Sequence, residues 1–135
     1  MKIGIIGAGQ LGLMLGEAAK KLNHECIFLD PNKNSPAKKI GKVINQEFSD
    51  IEGIRRLDSL TDVITYEFEN VPVESINTLN PNTVFPSSRA LEIAQDRLKE
   101  KQLFDSLNIP VAKYMSVNTK SDLLGAKSSL GFPFI

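Results

Sequence analysis

Apolar and polar positions come in blocks along this chain, and the blocks switch between two periods. KIGII, residues 2–6, is a short apolar run of the kind a parallel sheet buries. From Gln10 to Leu22 the period becomes helical, with Leu11, Met14, Leu15, Ala18, Ala19 and Leu22 on one face. Cys26–Leu29 is a second apolar run, closed by Asp30-Pro31, and a Pro-, Asn- and Ser-rich loop follows. Val43-Ile44 is a weak third strand. Residues 49–59 read as a helix capped by Ser49 or Asp50. DVITY, residues 62–66, is β-branched and predicts a strand. A short helix over 73–79 follows Pro72, and 83–85 reads as another short strand closed by Pro86. Strands alternating with helices predict an α/β domain. Its parallel sheet carries helices on both faces, doubly wound and Rossmann-like, over residues 1–95.

The pattern changes after residue 95. DRLKEKQLFDSL, residues 96–107, reads as a charged amphipathic helix capped by Asp96 and stopped by Asn108-Ile109-Pro110. KYMSV then reads as a strand, 119–130 as a helix and PFI as the start of a strand. Residues 96–135 therefore form a second, smaller segment. Its apolar run at the last residues reads as the front part of something longer, because chain ends are usually polar and exposed.

Composition narrows the class. Lys and Arg total 16, as do Asp and Glu, so zero net charge removes the electrostatic case for nucleic acid or a membrane surface. One cysteine, Cys26, and one histidine, His24, cannot build a Cys/His zinc site or an internal disulfide. The apolar run Ile3–Ile6 leads straight into glycines, unlike a signal peptide, and no stretch is long enough to span a bilayer. A cytoplasmic location follows as the default.

The chemistry begins at Gly7, Gly9 and Gly12, a G-x-G-x-x-G directly after the first strand. Such a turn presents backbone N–H groups and a helix dipole to an anion. Gly9 permits close approach of a ligand, and Gly12 close packing of helix on strand. A dinucleotide site also wants an acid at the end of the second strand for ribose hydroxyls, and Asp30 stands there. NAD or FAD is one reading. A plain strand-to-helix joint, with Asp30 starting a turn, is the other. ITYEFENVP, residues 64–72, adds Glu67 and Glu69 just past the DVITY strand. Ligands bind outside the carboxyl ends of strands in open α/β sheets, so these acids and the glycine loop can line one crevice. Side chains alternate along an extended backbone, so only one of the two glutamates can face it.

GIIGAGQLGLML, LDPNKNSPA, DVITYEFENVP, VFPSSRAL and AQDRLKEKQLFDSLNIPVAKY occur in this order and spacing. Together they resemble the N-terminal part of the 5-(carboxyamino)imidazole ribonucleotide synthase (PurK) family of the ATP-grasp superfamily. The resemblance covers residues 3–135; Leu13 departs from it, where relatives often carry a basic residue. It implies a pre-ATP-grasp domain followed by the truncated start of an ATP-grasp domain. It also implies ATP-dependent carboxylation of 5-aminoimidazole ribonucleotide with bicarbonate. Carried over by position, Gly9, Gln10, Leu11 and Glu67 would bind the ribonucleotide, Glu67 being preferred to Glu69, and Arg97 would reach ATP phosphate. No catalytic residue and no metal ligand is expected within this span, so Mg ligands would lie beyond residue 135 and the chain would be inactive alone. A cytoplasmic homodimer is implied for the full-length family. Competing readings are a formate-dependent glycinamide ribonucleotide transformylase, a biotin carboxylase, an NAD-binding Rossmann module and a noncatalytic binding module.

Overall fold

The computed structural model describes residues 1–133. It divides into two compact units, Met1–Gln95 and Asp96–Ile135. The first holds a four-stranded sheet in the order β3-β2-β1-β4, with β1 Lys2–Ile6, β2 Glu25–Leu29, β3 Lys42–Ile44 and β4 Val63–Tyr66. Every pairing is parallel. The chain winds outward from β1 through β2 to β3, then returns to place β4 on the other side of β1. That reversal beside β1 is the topological switch point, where such sheets open a crevice at their carboxyl ends. The expected strand at 83–85 is reduced to one parallel bridge between Val84 and Ile64 at the β4 edge.

Neighbouring residues of the strands feed opposite faces, as the pleat requires. Ile6, Leu29, Ile44 and Ile64 join the larger core, closed by Ile54 and Leu57 of helix α2 (Ile51–Leu60) and by Val71, Ile76, Leu79 and Leu91. Ile5 and Phe28 face the other way with Ala8 and Ala37. Each fully buried Ile, Leu or Phe contributes about 1.5–3 kcal/mol of transfer free energy. Asp50, one of the two expected caps, starts α2: its side chain accepts from the N–H groups of Glu52 and Gly53. Short helices α3 (Val73–Ile76) and α4 (Ser88–Ala94) complete the unit. Sequence patterning missed α4, whose cap is the Ser87 hydroxyl accepting from Ala90 N–H.

Helix α1 (Gln10–Lys21) corrects one expectation. Of its expected apolar stripe only Ala19 is buried: Leu11, Met14, Leu15, Ala18 and Leu22 are exposed, and Gly12 and Gly16, outside the stripe, are buried beside Ala19. The helix lies so close to the sheet that a Cβ on Gly16 would collide with Ile40 Cδ1 and stand 2.8 Å from Phe28 Cζ. Contact at that range requires small side chains at i, i+4 and i+7, not bulky ones.

In the second unit, α5 (Arg97–Ser106) starts at Asp96, whose carboxylate accepts from Leu98 N–H at 2.8 Å and Lys99 N–H at 3.1 Å. The expected strand KYMSV forms no ladder among the described residues, and residues 111–118 carry no regular structure. The strand expected from PFI falls partly on residues 134–135, outside the described residues. Helix α6 (Lys120–Leu130) opens with a capping box between Thr119 and Asp122. Hydrogen bonds from Asn118 N–H, the Thr119 hydroxyl and Thr119 N–H hold the Asp122 carboxyl below the usual range. A group depressed in the folded state stabilises it above its unfolded pKa and loses that contribution as pH falls through the folded value. The α6 N-terminus is therefore expected to fray below about pH 4, and Asp122→Asn to abolish this response. Amide shifts of Asn118 and Thr119 followed across an acid titration check it; an unchanged acid limb in the variant would refute it.

Candidate functional site

β1 ends where the backbone must turn sharply, and Gly7 makes the turn at φ +103°. Gly7 N–H still donates to Leu29 O at 2.8 Å, extending the β1–β2 ladder by one rung. Glu67 N–H donates to Ile6 O at 3.1 Å, extending the β1–β4 ladder likewise. Asp30 and Glu67 are the first residues after β2 and β4, the two neighbours of β1. Both therefore flank the glycine loop.

Each acid sends its carboxylate onto that loop. Asp30 Oδ2 accepts from Ala8 N–H at 2.8 Å and Asp30 Oδ1 accepts from Asn32 N–H at 2.7 Å. Glu67 Oε1 accepts from Gly9 N–H at 3.1 Å. The Asn45 amide donates to Asp30 O at 3.1 Å and steadies the same corner. The Glu67 carboxylate lies against the loop: a Cβ on Gly9 would be 3.0 Å from its Oε1, and one on Gly12 2.8 Å from its Oε2. Its Oε2 is buried with no hydrogen-bond partner among the described residues. Glu69, by contrast, is exposed.

The structure thus brings Gly9, Gln10, Leu11 and Glu67 to one end of β1 and β4, at the switch point. Gln10 and Leu11 are exposed in the first turn of α1, and Leu11 is 56% exposed despite its apolar side chain. The N–H groups of that turn have no intrahelical acceptor. The crevice edge is therefore mixed: open N–H donors and an apolar side chain beside a carboxylate oxygen that lacks a donor. Asp30 serves the turn that its Asp-Pro sequence suggests, through Asn32, but also braces Ala8, a second role that sequence reasoning missed. The available signal was an acid closing the second strand, 21 residues after Gly9.

Arg97 belongs to the second unit. Its guanidinium meets Glu100 at 2.6 Å and its side chain is 85% exposed. Among the described residues no group of three or more His, Cys, Asp or Glu is placed to hold a metal ion. No helix of the described residues is long and apolar enough to cross a membrane. A cavity of about 460 Å³ lined by Met1, Lys2, Glu25, Thr61 and Asp62 opens at the amino ends of the strands, the end away from the loop. The carboxyl end is where ligands of open α/β sheets bind, so the loop and not this cavity is the candidate site.

Residues 1–95 match the family model of the ribonucleotide synthetase preATP-grasp domain. The chain is 39% identical over 135 residues to N5-carboxyaminoimidazole ribonucleotide synthase of Staphylococcus epidermidis, covering 98% of this chain and 36% of that protein. The crystal structure of the N5-carboxyaminoimidazole ribonucleotide synthetase of Thermus thermophilus superimposes with a TM-score of 0.88 at 39% identity, over 97% of this chain and 37% of that one. An Aspergillus clavatus N5-carboxyaminoimidazole synthase, solved with ADP and 5-aminoimidazole ribonucleotide, has a TM-score of 0.83 at 32% identity, over 98% of this chain and 36% of that one. The chain therefore spans a little over a third of the length of the relatives it matches.

Proposed function

The chain belongs to the ribonucleotide synthetase preATP-grasp domain family, and from that premise we propose that it supplies the ribonucleotide-binding end of an ATP-dependent carbon–nitrogen ligase. The reaction joins bicarbonate to the exocyclic amine of 5-aminoimidazole ribonucleotide, with ADP and phosphate as by-products. ATP phosphorylates bicarbonate to carboxyphosphate. The amine nitrogen then attacks the carboxyl carbon, or carbon dioxide released from it, and phosphate leaves. Water must be kept from that labile acyl phosphate.

In this reading Gly9, Gln10 and Leu11 meet the ribonucleotide and Glu67 accepts a hydrogen bond from it. Arg97, from the second unit, meets ATP phosphate through its always-charged, planar guanidinium. The Mg that would accompany ATP in such a ligase would draw its ligands from outside this span. The same reading carries a cytoplasmic homodimer for the full-length ligase. The observation that carries the assignment is the Gly9–Glu67 hydrogen bond, which fastens the EFEN segment to the glycine loop at the switch point. An NAD module gives no reason for an internal carboxylate on that loop.

Calorimetric titration of the chain with 5-aminoimidazole ribonucleotide and, separately, with NADH tests it. Saturable binding of the ribonucleotide and none of NADH is the expected result. Glu67→Gln is expected to weaken the ribonucleotide about tenfold, the worth of one hydrogen bond to a charged group. Binding of NADH with no binding of the ribonucleotide would overturn the assignment.

A further inference from the structure

Helix α4 is fastened at both ends to the segment that carries Glu67. Before its start, the Tyr66 hydroxyl, at the end of β4, donates to Ser87 O at 3.3 Å. In its middle, Leu91 is buried in the larger core. Past its end, the Gln95 side-chain amide donates to Glu69 O and to Val71 O, both at 2.7 Å. Residues 67–71 form a turn beyond the sheet ladder. Such segments open more readily than strands, so what grips them sets how well their side chains are placed. Phe68 turns into the core, its ring meeting Phe48 edge-on with centroids 5.0 Å apart. Gln95 grips the stretch that follows.

Carbonyl oxygens only accept, so the amide nitrogen of Gln95 must face them, and each of its two hydrogens has one carbonyl. Two bonds from one rigid amide fix direction as well as distance. Gln95 is also the last residue of the first unit. Its backbone N–H donates to Leu91 O at 3.0 Å and closes α4. The next residue, Asp96, caps α5, and Arg97 opens that helix. Only Gln95 and Asp96 separate the two helices. One glutamine therefore meets the turn after Glu67 through its side chain and the start of the Arg97 helix through its backbone.

We propose that Gln95 is a positioning residue: it sets the turn that keeps Glu67 on Gly9, and it couples that turn to the start of α5. The positioning role concerns the chain itself. The coupling rests on the ligase reading, because it links a residue assigned to the ribonucleotide with the helix of a residue assigned to ATP.

The first test uses the chain without ligand. Hydrogen exchange at Gly9 N–H reports its bond to Glu67. Gln95→Ala is expected to speed that exchange about threefold to tenfold, the worth of one ordinary hydrogen bond, with the urea midpoint and the β1 and β4 amides unchanged. Gln95→Glu keeps the size but sets a carboxylate against two carbonyls at neutral pH, so it is expected to speed Gly9 at least as much. A space-filling side chain would leave Gly9 unmoved in the glutamate variant. Unchanged Gly9 exchange in both variants would overturn the proposal, and so would an equal loss of protection throughout the first unit. The second test adds 5-aminoimidazole ribonucleotide to the isotopically labelled chain. The Leu98 and Lys99 amide signals, whose N–H groups rest on Asp96, are expected to shift as the ligand binds. In Gln95→Ala that shift is expected to vanish and affinity to fall about threefold to tenfold. Saturable binding to the parent with both signals fixed would overturn the coupling. No binding to the parent would overturn the ligase assignment instead, and Gly9 exchange then decides the role of Gln95 alone.

Discussion

Gly12→Ala is expected to destabilise the first unit by about 2–3 kcal/mol, the upper part of the range for forced overpacking. The added methyl would stand 2.6 Å from Gly7 O and 2.8 Å from Glu67 Oε2. The first of these is backbone, at a residue held at φ +103° and bonded to Leu29 O. It cannot move without breaking the end of the β1–β2 ladder. Moving α1 outward instead would separate Gly16 from Phe28 and Ile40. Helix propensity works the other way, favouring alanine over glycine by about 0.8–1 kcal/mol, and only partly offsets the clash. Gly16→Ala is the internal comparison: its methyl meets side chains and not backbone, and the Ile40 Cδ1 end among them can rotate aside, so its cost is expected to be smaller. Urea midpoints of the two variants at equal slope give the ordering. A Gly12→Ala chain as stable as the parent, or more stable than Gly16→Ala, would show that the loop is not packed as described. Because the clash includes the Glu67 carboxylate, the same variant is also expected to lose ribonucleotide binding.

These glycines show how far the sequence could be read and where it stopped. The alternation of KIGII, the first helix, CIFL and DVITY was enough for a parallel α/β sheet, because each run has the length and the flanking turn residues of its element. The buried face of α1 was not legible. Periodicity weighs side-chain bulk, so it favoured Leu11, Met14 and Leu15. Packing kept Ala19 of that face but added Gly12 and Gly16 in place of the leucines, because helix and sheet approach more closely than a leucine allows. KYMSV has strand composition, but a strand exists only with a neighbour to bond, and composition carries no information about neighbours. The crevice itself was legible as two segments that end at the same edge of a sheet. That the acids bind the loop, and so alter what the loop can hold, depends on the register of β2 and β4 against β1. Register is a long-range property that no local pattern encodes.

Asp30→Ala is expected to have the other large effect, about 1–3 kcal/mol of lost stability, the cost of leaving the buried Ala8 N–H without its acceptor. The Asp30 carboxylate serves two donors at once, Ala8 N–H and Asn32 N–H, and Ala8 is fully buried. No other acceptor takes Ala8 N–H among the described residues, and Ala8 O is committed to Ala37 N–H at 3.0 Å. Asp30→Asn does not rescue the site. An amide offers one oxygen where two N–H groups converge, and it turns its own NH₂ toward the donor left over. The asparagine variant is therefore expected to recover less than half of the loss, whereas a purely steric role would be recovered in full. Denaturant unfolding gives the stability, and hydrogen exchange at Ala8 and Gly9 locates it: protection should fall at both amides even under conditions where the β4 amides stay protected. Full recovery by asparagine, or unchanged exchange at Ala8, would refute the brace. The two acids also act together. With Asp30 gone, the loop is free to move away from Glu67, so ribonucleotide affinity is expected to drop along with stability.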